Sequence, residues 1–427
     1  MVAVAMLCRL IVVFFVFRQV AAPTIDHNEF GWEMGWTARS IFLGHGFGSP
    51  FLPLTGPTAL VPPIYPYLLA LVFHFFGLYT AKSAFVILSF NSLCSALTCL
   101  PIYFSVKEAV GSRTALLAAS AWAVYPYAIY FSADRVWDYA LTGLLFSLCM
   151  FAAQRIHRHT ALSSWFGLGL LFGVTALSNP SIATILPFLF VFALWRVFRN
   201  QKPWMLRGFV TCFALAAILA PWCLRNYRDL HIISPIRDGF WGEAYAGNNG
   251  DTSESNPGWT HPASNPEQMR QYQELGEVAY MAQKKKLTIA FVKTHPLFFA
   301  GVSLRRFFRF WTGFWSFSPS YLRLDYLDVP NFFFCSFLTI VMLRGIGHWW
   351  RWNRRAALSY VGLLVIFPLP YYFTHSSADY RQPIEPEIIV LVTAGIFGLR
   401  DWQTDSDDDQ IDEKSDSSDI VIVGASV

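Results

Sequence analysis

Apolar residues run along this chain in long blocks separated by short polar breaks. A helix needs roughly 20 residues to cross a hydrocarbon core of about 30 Å. Blocks near that length lie at 2–20, 84–106, 114–131, 139–154, 161–178, 181–198, 208–222, 327–343, 356–371 and 384–400. The pattern predicts an all-α polytopic membrane protein with about ten transmembrane helices. A further block, 62–79, opens on Pro62, Pro63 and Pro66 and carries His74. It suits an interfacial or re-entrant helix better than a span.

Charge supports that choice. Short cytoplasmic loops are rich in Lys and Arg. Four clusters qualify: Lys107/Arg113, Arg155/Arg158, Arg196/Arg199/Lys202/Arg207 and Arg344/Arg351/Arg354/Arg355. Two spans separate each of the first three from the next. A crossing at 62–79 would invert them all. Both termini are therefore expected inside. Segments 21–83, 130–138, 223–326 and 372–383 are expected outside, and Lys82 with them.

Composition excludes a single soluble domain. The 427 residues are 54% hydrophobic, 17% aromatic and 14% charged, against about 25% charged in soluble domains. The net charge of +4 conceals a split. Residues 401–427 hold nine acidic side chains and Lys414, a tail of −8 on a body of +12. Two units follow: a membrane module over 1–400 with large outer loops 21–83 and 223–326, and an acidic, disordered cytoplasmic tail. The seven cysteines lie in or at the end of apolar runs without a CxxC and read as small hydrophobes. Arg9 and Arg18 flank the first apolar core, and no A-x-A site precedes Pro23, so an uncleaved anchor is expected. Segment 297–315 reads as an interfacial helix. Arg305, Arg306 and Arg309 would share one side, with Phe307, Trp311 and Phe314 on the other.

Candidate chemistry gathers on the outer side. Asp26, Glu29 and Glu33 lie in one short loop. Residues 30–43 read as a helix that puts Glu33 in the first turn and ends at Gly44 and Gly46. Asp138 stands at the mouth of a span, as a cap or as a second carboxylate facing the same cavity. Arg18, Arg225 and Arg381 lie at span edges, where they snorkel to headgroups or clamp a phosphate; Tyr380 adjoins the last. No HExxH, P-loop or strand-borne GxGxxG is present. No divalent metal is indicated, and nothing points to nucleic acid.

The acidic first loop, then A-R-S-I-F-L-G-H-G-F and P-P-I-Y-P-Y-L-L-A-L-V-F-H-F-F-G, resembles the GT-C membrane glycosyltransferases. Within them it looks most like the bacterial family-39 group, akin to protein O-mannosyltransferases and aminoarabinose transferases. L-S-N-P at 177–180, P-W-C-L-R-N-Y at 221–227 and D-Y-R-Q-P-I-E-P at 379–386 continue the resemblance over roughly residues 10–400. It implies transfer of a sugar from a polyprenyl-phosphate donor to a lipid, glycan or protein acceptor. The reaction would run at the periplasmic face of a bacterial inner membrane, among membrane lipids. A first-loop acid would act as base with inversion, and arginines would hold the phosphate. The family's Asp-Glu pair is missing here, with Phe30 where its Asp would stand. The base is then Glu33, Asp26 or Glu29, in that order. A transporter or flippase of lipid-linked saccharides, or an inactive scaffold of the same fold, are the alternatives.

Overall fold

A computed structural model describes residues 1–22, 25–199, 203–250, 260–314 and 328–399. The acidic tail lies outside the described residues. The chain opens with α1 (Val2–Val20), α2 (Glu33–Phe42), α3 (Ile64–Phe76), α4 (Ala81–Leu97), α5 (Cys99–Ala109), α6 (Ser112–Val124) and α7 (Pro126–Ala133). It continues through α8 (Tyr139–Arg155), α9 (Leu162–Ser178), α10 (Pro180–Ala183), α11 (Leu186–Arg199) and α12 (Trp204–Leu230). After α13 (Phe240–Gly247), α14 (Pro266–Leu275), α15 (Glu277–Thr294) and α16 (Pro296–Thr312) come α17 (Asp328–Trp352), α18 (Arg354–Ile366), α19 (Leu369–Phe373) and α20 (Glu385–Phe397).

Seven of these stretches are long and apolar enough to cross a membrane: α1, α4–α5, α8, α10–α11, α12, α17 and α18–α19. The bent pair α6–α7 passes the same test when its two halves are taken together. The shorter α9 and α20 occupy the remaining two blocks of the sequence pattern. By contrast, α15 and α16 meet at 104°. Helix α3 has 13 residues, about 20 Å of rise and short of a hydrocarbon core. It packs its Tyr65–Leu69–Phe73 side against α2 and α4.

The bend in α6–α7 has a local cause. Pro126 cannot donate to the Trp122 carbonyl, and its ring crowds that turn. The axis breaks by 48°. Arg9, fully buried in α1, supplies donors there, to the Ala123 carbonyl at 2.8 Å and the Trp122 carbonyl at 3.4 Å. It also donates to Ser95 Oγ at 3.0 Å. The charge that interrupts the first apolar block thus braces a broken helix beside it.

Described residues in or beside the four basic stretches meet at one end of the bundle. Glu108 at the end of α5 pairs with Arg155 and with Arg158, the latter at 2.9 Å. Arg196 at the end of α11 donates to the Gln154 carbonyl. Trp352 Nε1 donates to the Ala109 carbonyl at 2.8 Å. The axis of α8 spans 17 residues, about 25 Å, and separates this end from Asp138.

Helix α16 corrects one expectation. Arg306 lies on the buried stripe with Val302 and Phe310, whereas Arg305 and Phe307 are exposed. Spacing explains this: 302, 306 and 310 repeat every four residues, and 305 and 306 stand about 100° apart. Arg306 donates to Asn248 Oδ1 at 3.1 Å and to the Gly247 carbonyl, which ties α16 to the end of α13.

Candidate active site at the Asp138 end of the bundle

Several chain segments build this end, and the first carries Glu33. The predicted 30–43 helix forms as α2, with Glu33 in its first turn. The turn before it is sharp. Asp26, His27 and Trp32 have φ of 60°, 58° and 49°, and Gly31 has φ 97°. A Cβ at Gly31 would stand 2.7 Å from the Val136 carbonyl oxygen. Only glycine allows both that backbone and that approach. The first loop therefore rests directly on the turn that carries Asp138. Trp36 Nε1 donates to the Asp26 carbonyl at 2.9 Å and fastens the loop to α2.

Glu33 Oε1 lies 2.9 Å from His261 Nε2, and both side chains are largely covered, at 15% and 25% exposure. The rings of Phe51 and Trp32 flank His261 at 5.6 and 6.1 Å between centroids. Burial lowers the His261 pKa, but the hydrogen bond and charge of Glu33 outweigh it, and the net shift is upward.

Asp138 is fully buried just before α8. Its Oδ2 accepts from Asn179 Nδ2 at 2.8 Å and from Thr142 Oγ1 at 3.0 Å. Among the described residues Oδ1 has no hydrogen-bond partner. Asn179 belongs to the L-S-N-P motif. Pro180 ends α9 and opens α10, and Asn179 Oδ1 caps that turn by accepting from the Ser181 amide at 3.0 Å. The cap leaves the Asn179 amide group directed at Asp138.

The segment leading into α13 adds a cation. Arg237 Nη2 lies 3.1 Å from Glu243 Oε1, and Glu243 Oε2 lies 2.7 Å from His375 Nε2. Tyr380 hydroxyl and His375 Nδ1 are 3.2 Å apart, and Tyr380 stacks on Tyr371 at 4.8 Å. Burial pushes the Glu243 carboxyl up. The hydrogen bond and charge of His375, with the charges of Arg237 and His261, prevail and hold it well below the usual carboxylate range. Arg237 also lies within electrostatic reach of Asp138 and His261. These segments thus share one polar region holding Glu33, His261, Asp138, Arg237, Glu243 and His375. Among the described residues no group of three or more His, Cys, Asp or Glu side chains is arranged to hold a metal ion.

The other sequence candidates sit elsewhere. Asp26 and Glu29 are exposed on the first loop. Arg18 is exposed near the end of α1, 5.6 Å from the Phe17 ring. Arg225 is engaged: it donates to the carbonyls of Thr58 and Phe47 and pairs with Asp229 at 2.9 Å. Arg381 is buried against Glu385, which also accepts from Tyr125 at 3.0 Å. Its remaining donors face the Trp311 carbonyl at 3.2 Å and Cys335. These two guanidiniums tie chain segments together. His261, Arg237, Glu243 and His375 were not singled out by sequence. Each stands in a polar loop or short helix far from Glu33 in the chain, with no motif around it.

Comparisons with known proteins fit this architecture. Residues 60–222 match the dolichyl-phosphate-mannose-protein mannosyltransferase family model. No curated protein matches the chain. The oligosaccharyltransferase of Archaeoglobus fulgidus, solved with Zn and sulfate, is similar at 14% identity and TM-score 0.54, over 92% of this chain and 48% of that one. This chain thus spans about half the length of that enzyme. ArnT from Cupriavidus metallidurans, solved with undecaprenyl phosphate, matches at 12% identity and TM-score 0.37, over 93% of this chain and 77% of that one. The chain is a multi-pass membrane protein with a GT-C-type fold, similar to that of the archaeal oligosaccharyltransferase, and its residues 60–222 match the mannosyltransferase family model.

Proposed function

We propose that this protein transfers a sugar from a polyprenyl-phosphate donor to a hydroxyl-bearing acceptor, a lipid, glycan or protein. The observation that carries the proposal is the Glu33–His261 pair, set beside Asp138 and Arg237 at one end of a GT-C fold. Glu33 is the base. His261 holds Oε1, and Oε2 takes the acceptor's proton. The acceptor oxygen bonds to the anomeric carbon as the bond from that carbon to the phosphate oxygen breaks. The electron pair leaves with the polyprenyl phosphate. A single displacement of this kind inverts the anomeric centre. A positioned carboxylate contributes about 10²–10⁴-fold to such a proton transfer.

Arg237 is the cation for the departing phosphate. It is 25% exposed and shares the polar region with Glu33, unlike Arg225 and Arg381. Asp138 Oδ1 is available to accept a sugar hydroxyl, because an unpartnered buried oxygen gains most from a donor. The Asp138 end then faces the periplasm of a bacterial inner membrane, and the basic end faces the cytoplasm, as the distribution of Lys and Arg favours.

The test uses the full chain in liposomes with a lipid-linked sugar and an acceptor hydroxyl. Glycosylated acceptor and free polyprenyl phosphate should appear together and only with acceptor present. Movement of intact donor across the bilayer without acceptor would replace this reading by a flippase. Neither turnover nor movement would leave a scaffold of the same fold.

A further inference from the structure

The far end of the bundle carries a second built region. Helices α5, α8, α11 and α18 close on two clefts that share Arg196 and Arg355: one is also lined by Arg155, Arg158 and Glu108, the other by Arg199 and Trp195. Glu108 pairs with the first two. Arg196 is turned by the Gln154 carbonyl and by His157 Nε2 at 3.0 Å, and lies within electrostatic reach of Arg158 and Arg355. Among the described residues neither Arg199 nor Arg355 is in an ion pair. Arg199 rests over the Trp195 ring at 5.4 Å.

A rule of charge sidedness accounts for arginines at this end. It does not account for their gathering from three helices around Arg196 and Arg355, where like charges oppose one another. An anion relieves that cost. A phosphate suits it, because the guanidinium fork matches its oxygens. The surface beside the cleft says which phosphate. Val191, Trp195 and Phe198 form one exposed stripe on α11 that ends at Arg199. In a membrane this stripe meets acyl chains, while the arginines stand at headgroup depth.

We infer that the Arg196–Arg199–Arg355 cleft binds the phosphate headgroup of an anionic membrane phospholipid, whose chains lie along the Val191–Trp195–Phe198 stripe. The test compares thermal unfolding of the full chain in nanodiscs of phosphatidylcholine with and without phosphatidylglycerol. Phosphatidylglycerol should raise Tm by roughly 3 °C or more. The double variant Arg199→Gln/Arg355→Gln should lose that rise. Arg344→Gln, an exposed arginine of α17 outside the cleft, should keep it. An equal Tm in both lipids, or a rise that survives the double variant, overturns the inference. A rise reproduced by inorganic phosphate in phosphatidylcholine discs overturns the lipid assignment.

Discussion

Glu33 and His261 come from distant parts of the chain and meet at 2.9 Å. Their contact depends on pH. The folded pKa of His261 lies above its free value, so the pair adds stability below the free value of about 6.5. That contribution fades as pH rises through the folded value. Glu243 runs the other way. Its carboxyl is held low, so its contribution is present above the free carboxylate range and is lost as pH falls through the folded value. The stability lost in His261→Gln, read from unfolding, should be largest at mildly acid pH, on the order of 1 kcal/mol, and shrink in alkali. A difference that grows with pH would contradict a protonated His261 bound to Glu33.

Gly31→Ala should damage the site by geometry alone. The backbone there has φ 97°, and the new Cβ would stand 2.7 Å from the Val136 carbonyl oxygen. Gly44 has φ 83° but open space around it, so Gly44→Ala isolates the left-handed strain, about 1–2 kcal/mol. Unfolding of the two variants should show Gly31→Ala to be the more destabilising. Only Gly31→Ala should also lower kcat, because it separates Glu33 from Asp138. Equal effects on stability and turnover would show that the close approach is not needed.

Arginine variants should divide by role. Arg381→Gln leaves Glu385 as a buried carboxylate without its partner, and costs about 3–5 kcal/mol of stability. Arg237 sits in a partly exposed pair with Glu243, so Arg237→Gln should cost within about 1 kcal/mol. It should instead lower the rate of carrier-phosphate release at least tenfold. Thermal unfolding read beside turnover separates the two cases. A stable, slow Arg381→Gln would reverse the assignment.

The architecture was legible where a single segment carries its own signal. The apolar blocks gave α1, α8 and α12, and Glu33 with Gly44 marked α2. The basic clusters at 107–113, 155–158, 196–207 and 344–355 predicted sidedness, and the structure brings members of all four to one end. The bend at Pro126 was hidden because the apolar pattern runs through it. At Arg225 and Arg381 a sequence displays the guanidinium but not the carbonyls that engage it. A usable signal was nevertheless present: Asp229 and Glu385 each follow their arginine at i,i+4, the spacing of a helical ion pair. His261 had no such neighbour. Its pairing with Glu33 arises only from the way segment 260–275 folds back over α2 and Phe51.

The most direct test of the central claim is release of polyprenyl phosphate in proteoliposomes supplied with lipid-linked sugar and acceptor. Glu33→Gln should slow release by about 10²-fold or more, with Tm near that of wild type at alkaline pH. Asp26→Asn and Glu29→Gln, which change exposed carboxylates of the same loop, should stay within a few-fold of wild type. Release that persists at the wild-type rate in Glu33→Gln would contradict the account.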